Sequence, residues 1–147
     1  MITIEQFCDR HNACPPGRAW ALSTCRDMRE VWDKAKPEWL IWVATRPGVL
    51  TDRELRLFAC WCARQGWHLL TDERSRNAVL VAERFAVGEA TQNEMAAARD
   101  AARAAAWTAA RDTAWAAASD AAWDAAWEAA RAAQAVWLRA NTNPPFE

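Results

Sequence analysis

The residues that could do chemistry are few. Cys8, His11, Cys14 and Cys25 form C-x2-H-x2-C-x10-C. Zinc takes Cys and His in tetrahedral sites, and residues one helical turn apart can share an ion. Cys8 and His11 have that spacing, but Cys14 abuts Pro15–Pro16 and the set matches no zinc-finger spacing. The reading is buried or incidental thiols, with no metal and no cofactor. In Cys60–Trp61–Cys62 a helix turns the two thiols about 200° apart, so they share neither a metal nor a disulfide, and one lies in the core. Nucleophilic catalysis needs a base beside the nucleophile, and His11 and His68 are the only histidines. His68 reads as a helix-end residue that caps or packs. Four Gly leave no phosphate-cradling loop, and no G-x-S-x-G occurs. The chain reads as non-catalytic.

The remaining candidate is a stripe of bulky residues. Arg99, Arg103, Trp107, Arg111, Trp115, Ser119, Trp123, Trp127 and Arg131 recur every four positions in a tract that is mostly Ala. Arg103–Trp107–Arg111–Trp115 places cations and rings at i, i+4 on a helix, where cation–π contacts can form. Trp and Arg also anchor interfaces more often than other residues do. Arg103, Trp107, Arg111, Trp115, Trp123 and Trp127 are therefore the expected partner-binding residues. Intrahelical stabilisation and core packing are the plainer account of the same stripe. The cluster Asp72, Glu73, Arg74 and Arg76 reads as a solvated helix entry, or as Arg74 and Arg76 holding a loop or a partner carboxylate.

The elements that must position these residues are helical. Thr3–Ile4–Glu5–Gln6, Thr51–Asp52–Arg53–Glu54 and Thr91–Gln92–Asn93–Glu94 each fit a capping box. Pro15–Pro16–Gly17 separates two helices, Arg46–Pro47–Gly48 ends another, and Gly66 and Gly88 sit at helix C-caps. The pattern predicts helices at 3–12, 17–35, 37–45, 51–66, 72–87 and 91–140. Leu55, Phe58, Ala59 and Cys62 form one apolar face of the fourth. Val79–Leu80–Val81 leans toward strand but lies inside a helical pattern. The expected architecture is all-α: one helical domain spanning 1–147, with short N-terminal helices over 1–50 and a core helix pair over 51–90. An Ala/Trp-rich helix (or helical hairpin) follows over 91–141, and 142–147 form a tail.

Ala is the strongest helix former, and some 50 residues at 1.5 Å each would reach about 75 Å. Ser119–Asp120 could cap a new helix, but one long helix is the favoured reading. A repeat of four drifts about 40° per step on a 3.6-residue helix. The stripe therefore wraps the helix and cannot face one flat partner. Ala-Ala pairs admit a close neighbouring helix. Buried tail Trp residues would instead move the site toward the loops at Pro15–Gly17 and Pro47–Gly48.

Charge excludes some partners. Residues 1–50 carry seven basic and six acidic side chains, 51–90 six and six, and 91–147 five and seven. No segment has the basic excess of a general nucleic-acid binder. No apolar run approaches a membrane span, and Met1–Arg10 has no apolar core of a signal peptide. The expected location is the cytoplasm, with the five Cys reduced.

A resemblance adds to this. Cys62–Ala63–Arg64, then Asp72–Glu73–Arg74–Ser75–Arg76–Asn77–Ala78–Val79, then Ala82–Glu83–Arg84–Phe85–Ala86–Val87–Gly88–Glu89 resembles the core of immunity proteins of the Imm-5-like family. Those run D-x-R-x-R-x-A, then an aromatic and G-E, then Ala-rich helix. The likeness is clearest over 60–90 and looser over 51–140. Lys36–Pro37–Glu38–Trp39–Leu40–Ile41–Trp42 and Gly48–Val49–Leu50–Thr51–Asp52–Arg53–Glu54–Leu55–Arg56 are similar to segments of small proteins of temperate phages and their hosts. The resemblance implies an all-helical protein that neutralises another protein, a toxin or a host defence factor. A nucleotide ligand held between Trp and Arg, and a homodimer or higher bundle, are the alternatives.

Overall fold

The computed structural model describes residues 1–112 and 120–146, with side chains described outside 105–126. Among the described residues it is all-helical, with no strand. The α-helices are α1 (Ile4–His11), α2 (Pro15–Thr24), α3 (Met28–Lys34), α4 (Pro37–Ala44), α5 (Asp52–Gln65), α6 (Glu73–Ala86), α7 (Gln92–Asp112) and α8 (Asp120–Asn141), with a 3-10 turn at Trp67–Leu69. The expectation of one helix across 91–141 runs through residues 113–119, which lie outside the described residues. Two compact units form: Met1–Thr51 with Trp123–Glu147, and Asp52–Ala122.

The starts and stops follow local chemistry. At α1 the Gln6 N–H donates to Thr3 Oγ1 at 3.2 Å and the Thr3 N–H donates to Gln6 Oε1 at 3.0 Å, a complete capping box. Thr91 and Glu94 repeat it at α7, at 2.7 and 3.2 Å. Two helices part at this point as expected, with Pro15–Pro16 forming the first turn of α2, where the N–H that proline lacks has no intrahelical acceptor. The helix expected over 17–35 is two. Cys25 is extended, and Asp27 caps α3 by accepting from the Glu30 N–H at 2.8 Å. Glu30 then accepts from the Arg26 backbone and guanidinium and from Lys34, which holds its carboxyl at about 2.

The first unit buries Trp32, Met28, Leu40 and Leu138 almost completely. From α8, Arg139 donates to the carbonyls of Trp32, at 3.0 Å, and Ala35, closing the C-terminus of α3. The segment expected to be a tail is core. Pro144 and Phe146 are buried, Ile2 N–H donates to Phe146 O at 2.9 Å, and Phe146 lies edge-on to Phe7 and Trp32.

In the second unit α5, α6 and α7 pack in sequence order. Arg64 holds Glu83 through two bonds of 2.7 and 2.6 Å, tying α5 to α6. Arg53 Nε donates to Ala86 O at 3.0 Å. The apolar face expected on α5 is corrected: Phe58 and Cys60 are buried, Ala59 is exposed and Cys62 is half-buried. Phe58 and Cys60 point about 200° apart, so α5 is covered on two sides and a single-stripe pattern fails. The β-leaning Val79–Leu80–Val81 lies within α6.

Gly88 ends α6 in a Schellman turn. Its φ is +82°, its N–H donates to Phe85 O at 3.1 Å, and the Glu89 N–H donates to Arg84 O at 2.7 Å. Gly66 has φ −101°, open to any residue, and a Cβ there would meet only Ala63 O at 3.9 Å. Gly88→Ala is expected to lower the unfolding free energy by about 1–2 kcal/mol, the cost of a left-handed alanine. Gly66→Ala should leave it within about 0.5 kcal/mol. Urea denaturation of both variants checks the contrast, and equal losses would sink it.

Candidate functional site

Of the sequence-derived stripe, the side chains of Trp107, Arg111, Trp115 and Trp123 lie outside the described residues. Arg103 is exposed on α7 in the second unit. Trp127, on α8 in the first unit, is 52% exposed, and the Arg131 guanidinium lies 5.1 Å from its ring centroid. The i, i+4 cation–π contacts expected along Arg103–Trp107–Arg111–Trp115 fall on side chains outside the described residues, and Trp127 with Arg131 has the same spacing further along the stripe.

Trp127 and Arg131 line a groove with Ala130 and Gln134 on α8 and Glu38 and Ile41 on α4. Glu38 sits in the first turn of α4, where the helix dipole favours a carboxylate. Its partner is Lys36, at 2.9 Å, and that bond holds its carboxyl below the usual range, with Arg131 adding to the effect. Among the described residues no carboxylate pairs with Arg131. The groove thus offers a half-exposed indole, a guanidinium with donors to spare and one carboxylate. That arrangement can bind; it holds no nucleophile and base in contact.

A second concavity was not read from the sequence. Residues of α1, α2, α3, α4 and the α1–α2 loop line an open cavity of about 270 Å³. Four aromatic side chains wall it: Phe7, Trp20, Trp39 and Trp42. Trp20 and Trp39 lie with ring centroids 5.2 Å apart, and Phe7 meets Trp42 edge-on at 6.2 Å. Gly17 and Ala21 face them from α2, and Cys14, exposed, places the cavity at the surface. A Cβ on Gly17 would come within 3.1 Å of Cys14 Sγ, a tight contact, and would meet the Trp39 ring at 3.6 Å, an ordinary packing distance. The available signal was Trp39 and Trp42 at i, i+3 opposite Gly17 and Ala21 at i, i+4. The loop at Pro15–Gly17 had been marked only as the fallback for buried tail Trp residues.

The cysteine set divides. Cys8 and Cys14 both line this cavity, and burial pushes the Cys8 thiol up, which keeps it protonated. His11 packs on Phe7 at 4.5 Å and lines a separate cleft with Pro47, Gly48 and Val49. Burial, then Arg10 and Arg46, lower its pKa, so the ring is neutral near pH 7. Cys25 is buried at the α2–α3 junction. Among the described residues no three His, Cys, Asp or Glu side chains gather as metal ligands would.

In the second unit Arg74 pairs with Asp72 at 2.8 Å, the contact that holds the Asp72 carboxyl at about 2. Arg76 reaches Glu73 at 3.3 Å and lies 5.7 Å from the Trp67 ring, which also carries Arg64 at 4.3 Å. Both arginines of that cluster have partners within the unit, although Arg76 Nε is buried without a hydrogen-bond partner among the described residues. His68 is exposed on the 3-10 turn.

No helix among the described residues is long and apolar enough to cross a membrane. No protein family, no curated protein and no solved structure matches the chain.

Proposed function

We propose that this chain is a non-catalytic, cytoplasmic protein-binding module that occludes a surface of another protein, a toxin or a host defence factor, as an immunity or anti-defence protein does. The observation that supports it best is Trp127, a large aromatic half in solvent with a guanidinium stacked on it, beside a groove. Exposed apolar surface of this kind marks interaction sites, and Trp and Arg dominate the binding energy of interfaces. The likeness of residues 60–90 to immunity proteins points the same way. In this reading the other large residues of the Ala/Trp-rich stretch 91–141, Arg103 among them, also contact the partner. The partner inserts an apolar side chain against Trp127 and Ile41.

A nucleotide ligand is less well served. Phosphate would seek Arg131, but Glu38 lines the same groove and repels it.

The test compares capture from host lysate by the parent, Trp127→Ala and Leu69→Ala, the last removing a side chain that is 72% exposed elsewhere. Truncating a central aromatic anchor costs at least about 2 kcal/mol, roughly thirtyfold in affinity. The expected result is a defined partner that the parent and Leu69→Ala retain and Trp127→Ala loses. Equal capture by all three overturns the reading. Light scattering separates self-association: a 16.5 kDa species at all concentrations removes the homo-oligomer.

A further inference from the structure

We propose that the aromatic cavity between α1, α2 and α4 is a binding site for a small, neutral, planar aromatic molecule of about two fused rings. The size follows from the volume. An apolar cavity of about 150 Å³ holds one benzene ring, and this one is about 270 Å³. The shape follows from the walls. Phe7, Trp20, Trp39 and Trp42 present ring faces and edges, with Ile4, Val31 and Val43 completing an apolar lining. Flat aromatic guests pack on such surfaces by stacked and edge-on contacts.

The space exists because large residues on α4 oppose small ones on α2. Trp20, Trp39 and Trp42 are each half-buried, so the space opens to solvent and their rings are within reach of a guest. Gly17 and Ala21 leave it unfilled, and the exposed Cys14 marks a way in from solvent.

Charge selects against ionic guests. An anion would meet the Glu38 carboxylate, which lines the cavity. A cation would find its place already taken. The Lys36 ammonium lies 4.3 Å from the Trp39 ring centroid and bonds Glu38 at 2.9 Å, so the protein supplies its own cation–π partner and counter-ion. The polar atoms left for a guest are the Cys8 and Cys14 thiols and Asn12, weak or neutral groups that suit a hydroxyl or ring N–H.

This cavity shares Glu38 with the groove beside Trp127 and is otherwise lined by different residues, and its occupancy is measured without a protein partner. The experiment is isothermal titration of the full chain with 2-naphthol, 2-naphthoate and 2-naphthylmethylammonium. It is repeated on Ala21→Leu, which fills the cavity from α2, and on Ala13→Trp, which fills it from the α1–α2 loop. The expected Kd for 2-naphthol is about 100 μM or lower, within the range for a ligand of roughly eleven non-hydrogen atoms. Both charged analogues should bind at least tenfold more weakly. Each filled variant should lose at least tenfold in 2-naphthol affinity while its circular dichroism and melting temperature match the parent. Should one variant unfold, the other carries the comparison. Indole N–H resonances of Trp20, Trp39 and Trp42 should shift on titration and those of other tryptophans should not. Absence of binding by the parent, tighter binding of either ion, or unchanged affinity in a folded, filled variant overturns the assignment.

Discussion

Trp32→Ala is expected to lower the unfolding free energy by about 3–5 kcal/mol, the cost of deleting a large aromatic from a packed core. The ring is 1% exposed and lies edge-on to Phe146 with centroids 6.0 Å apart. The same residue's carbonyl receives Arg139 from α8, so the helix that positions the ring is also the one α8 closes. A domain of ordinary size is stable by only about 5–15 kcal/mol, so one side chain carries a large share of what holds the first unit together. Guanidinium denaturation checks it: the midpoint should fall with the slope unchanged. Trp32→Phe is the informative companion. It keeps an edge-on ring and deletes Nε1–H, a buried donor with no hydrogen-bond partner among the described residues. Removing an unpaired donor recovers part of the lost packing, so its cost should be clearly smaller than that of alanine. A loss under about 1 kcal/mol for Trp32→Ala would mean that the ring is not core.

Ending the chain at Asn141 is expected to cost a similar amount, about 3–5 kcal/mol, although it removes only a short irregular segment. That segment includes Phe146, 6% exposed, and the fully buried Pro144. It also supplies the carbonyl that receives Ile2 N–H at 2.9 Å and the one that receives Arg29 at 3.4 Å. Removal would uncover Phe7 and Trp32 and leave the Ile2 N–H without its acceptor, a donor in a residue that is 7% exposed. Thermal unfolding reads the effect, and Phe146→Ala alone should reproduce most of it. A melting temperature within about 4 °C of the full chain, under about 1 kcal/mol for a unit of this size, would show the segment to be decoration.

That segment also illustrates where sequence reading stopped. Asn-Thr-Asn-Pro-Pro-Phe has the composition of a loose end, and nothing local says that Phe146 reaches Phe7 and Ile2 at the opposite end of the chain. The α2–α3 break is a different failure. Its signal was present, because Asp27–Met28–Arg29–Glu30 has the polar spacing of a helix start, but an uninterrupted helical pattern outweighed it. Cys60 and Cys62 show a third case. The helix and the single core thiol were right, but that thiol is Cys60 and not the Cys62 of the apolar stripe, because the stripe assumes one covered side and α5 has two.

The site divides along the same line. Trp127 with Arg131 was legible because a four-residue spacing on a helix is a local fact, fixed before any other element arrives. The cavity was not legible. Trp20 comes from α2, Phe7 from α1, and Trp39 and Trp42 from α4, and only their packing sets the rings around one void.

By itself the sequence determined the helical class and several helix boundaries: the boxes at Thr3–Gln6 and Thr91–Glu94, and the left-handed stop at Gly88. Each is decided within one helical turn, by a hydrogen bond between near neighbours or by the absence of a Cβ. Tertiary structure alone decided which thiols are buried, that Thr142, Pro144 and Phe146 belong to the core, and that four aromatic rings line one space. Those outcomes depend on contacts between residues as far apart as Ile2 and Phe146, and no short-range pattern encodes which distant surface a side chain will meet.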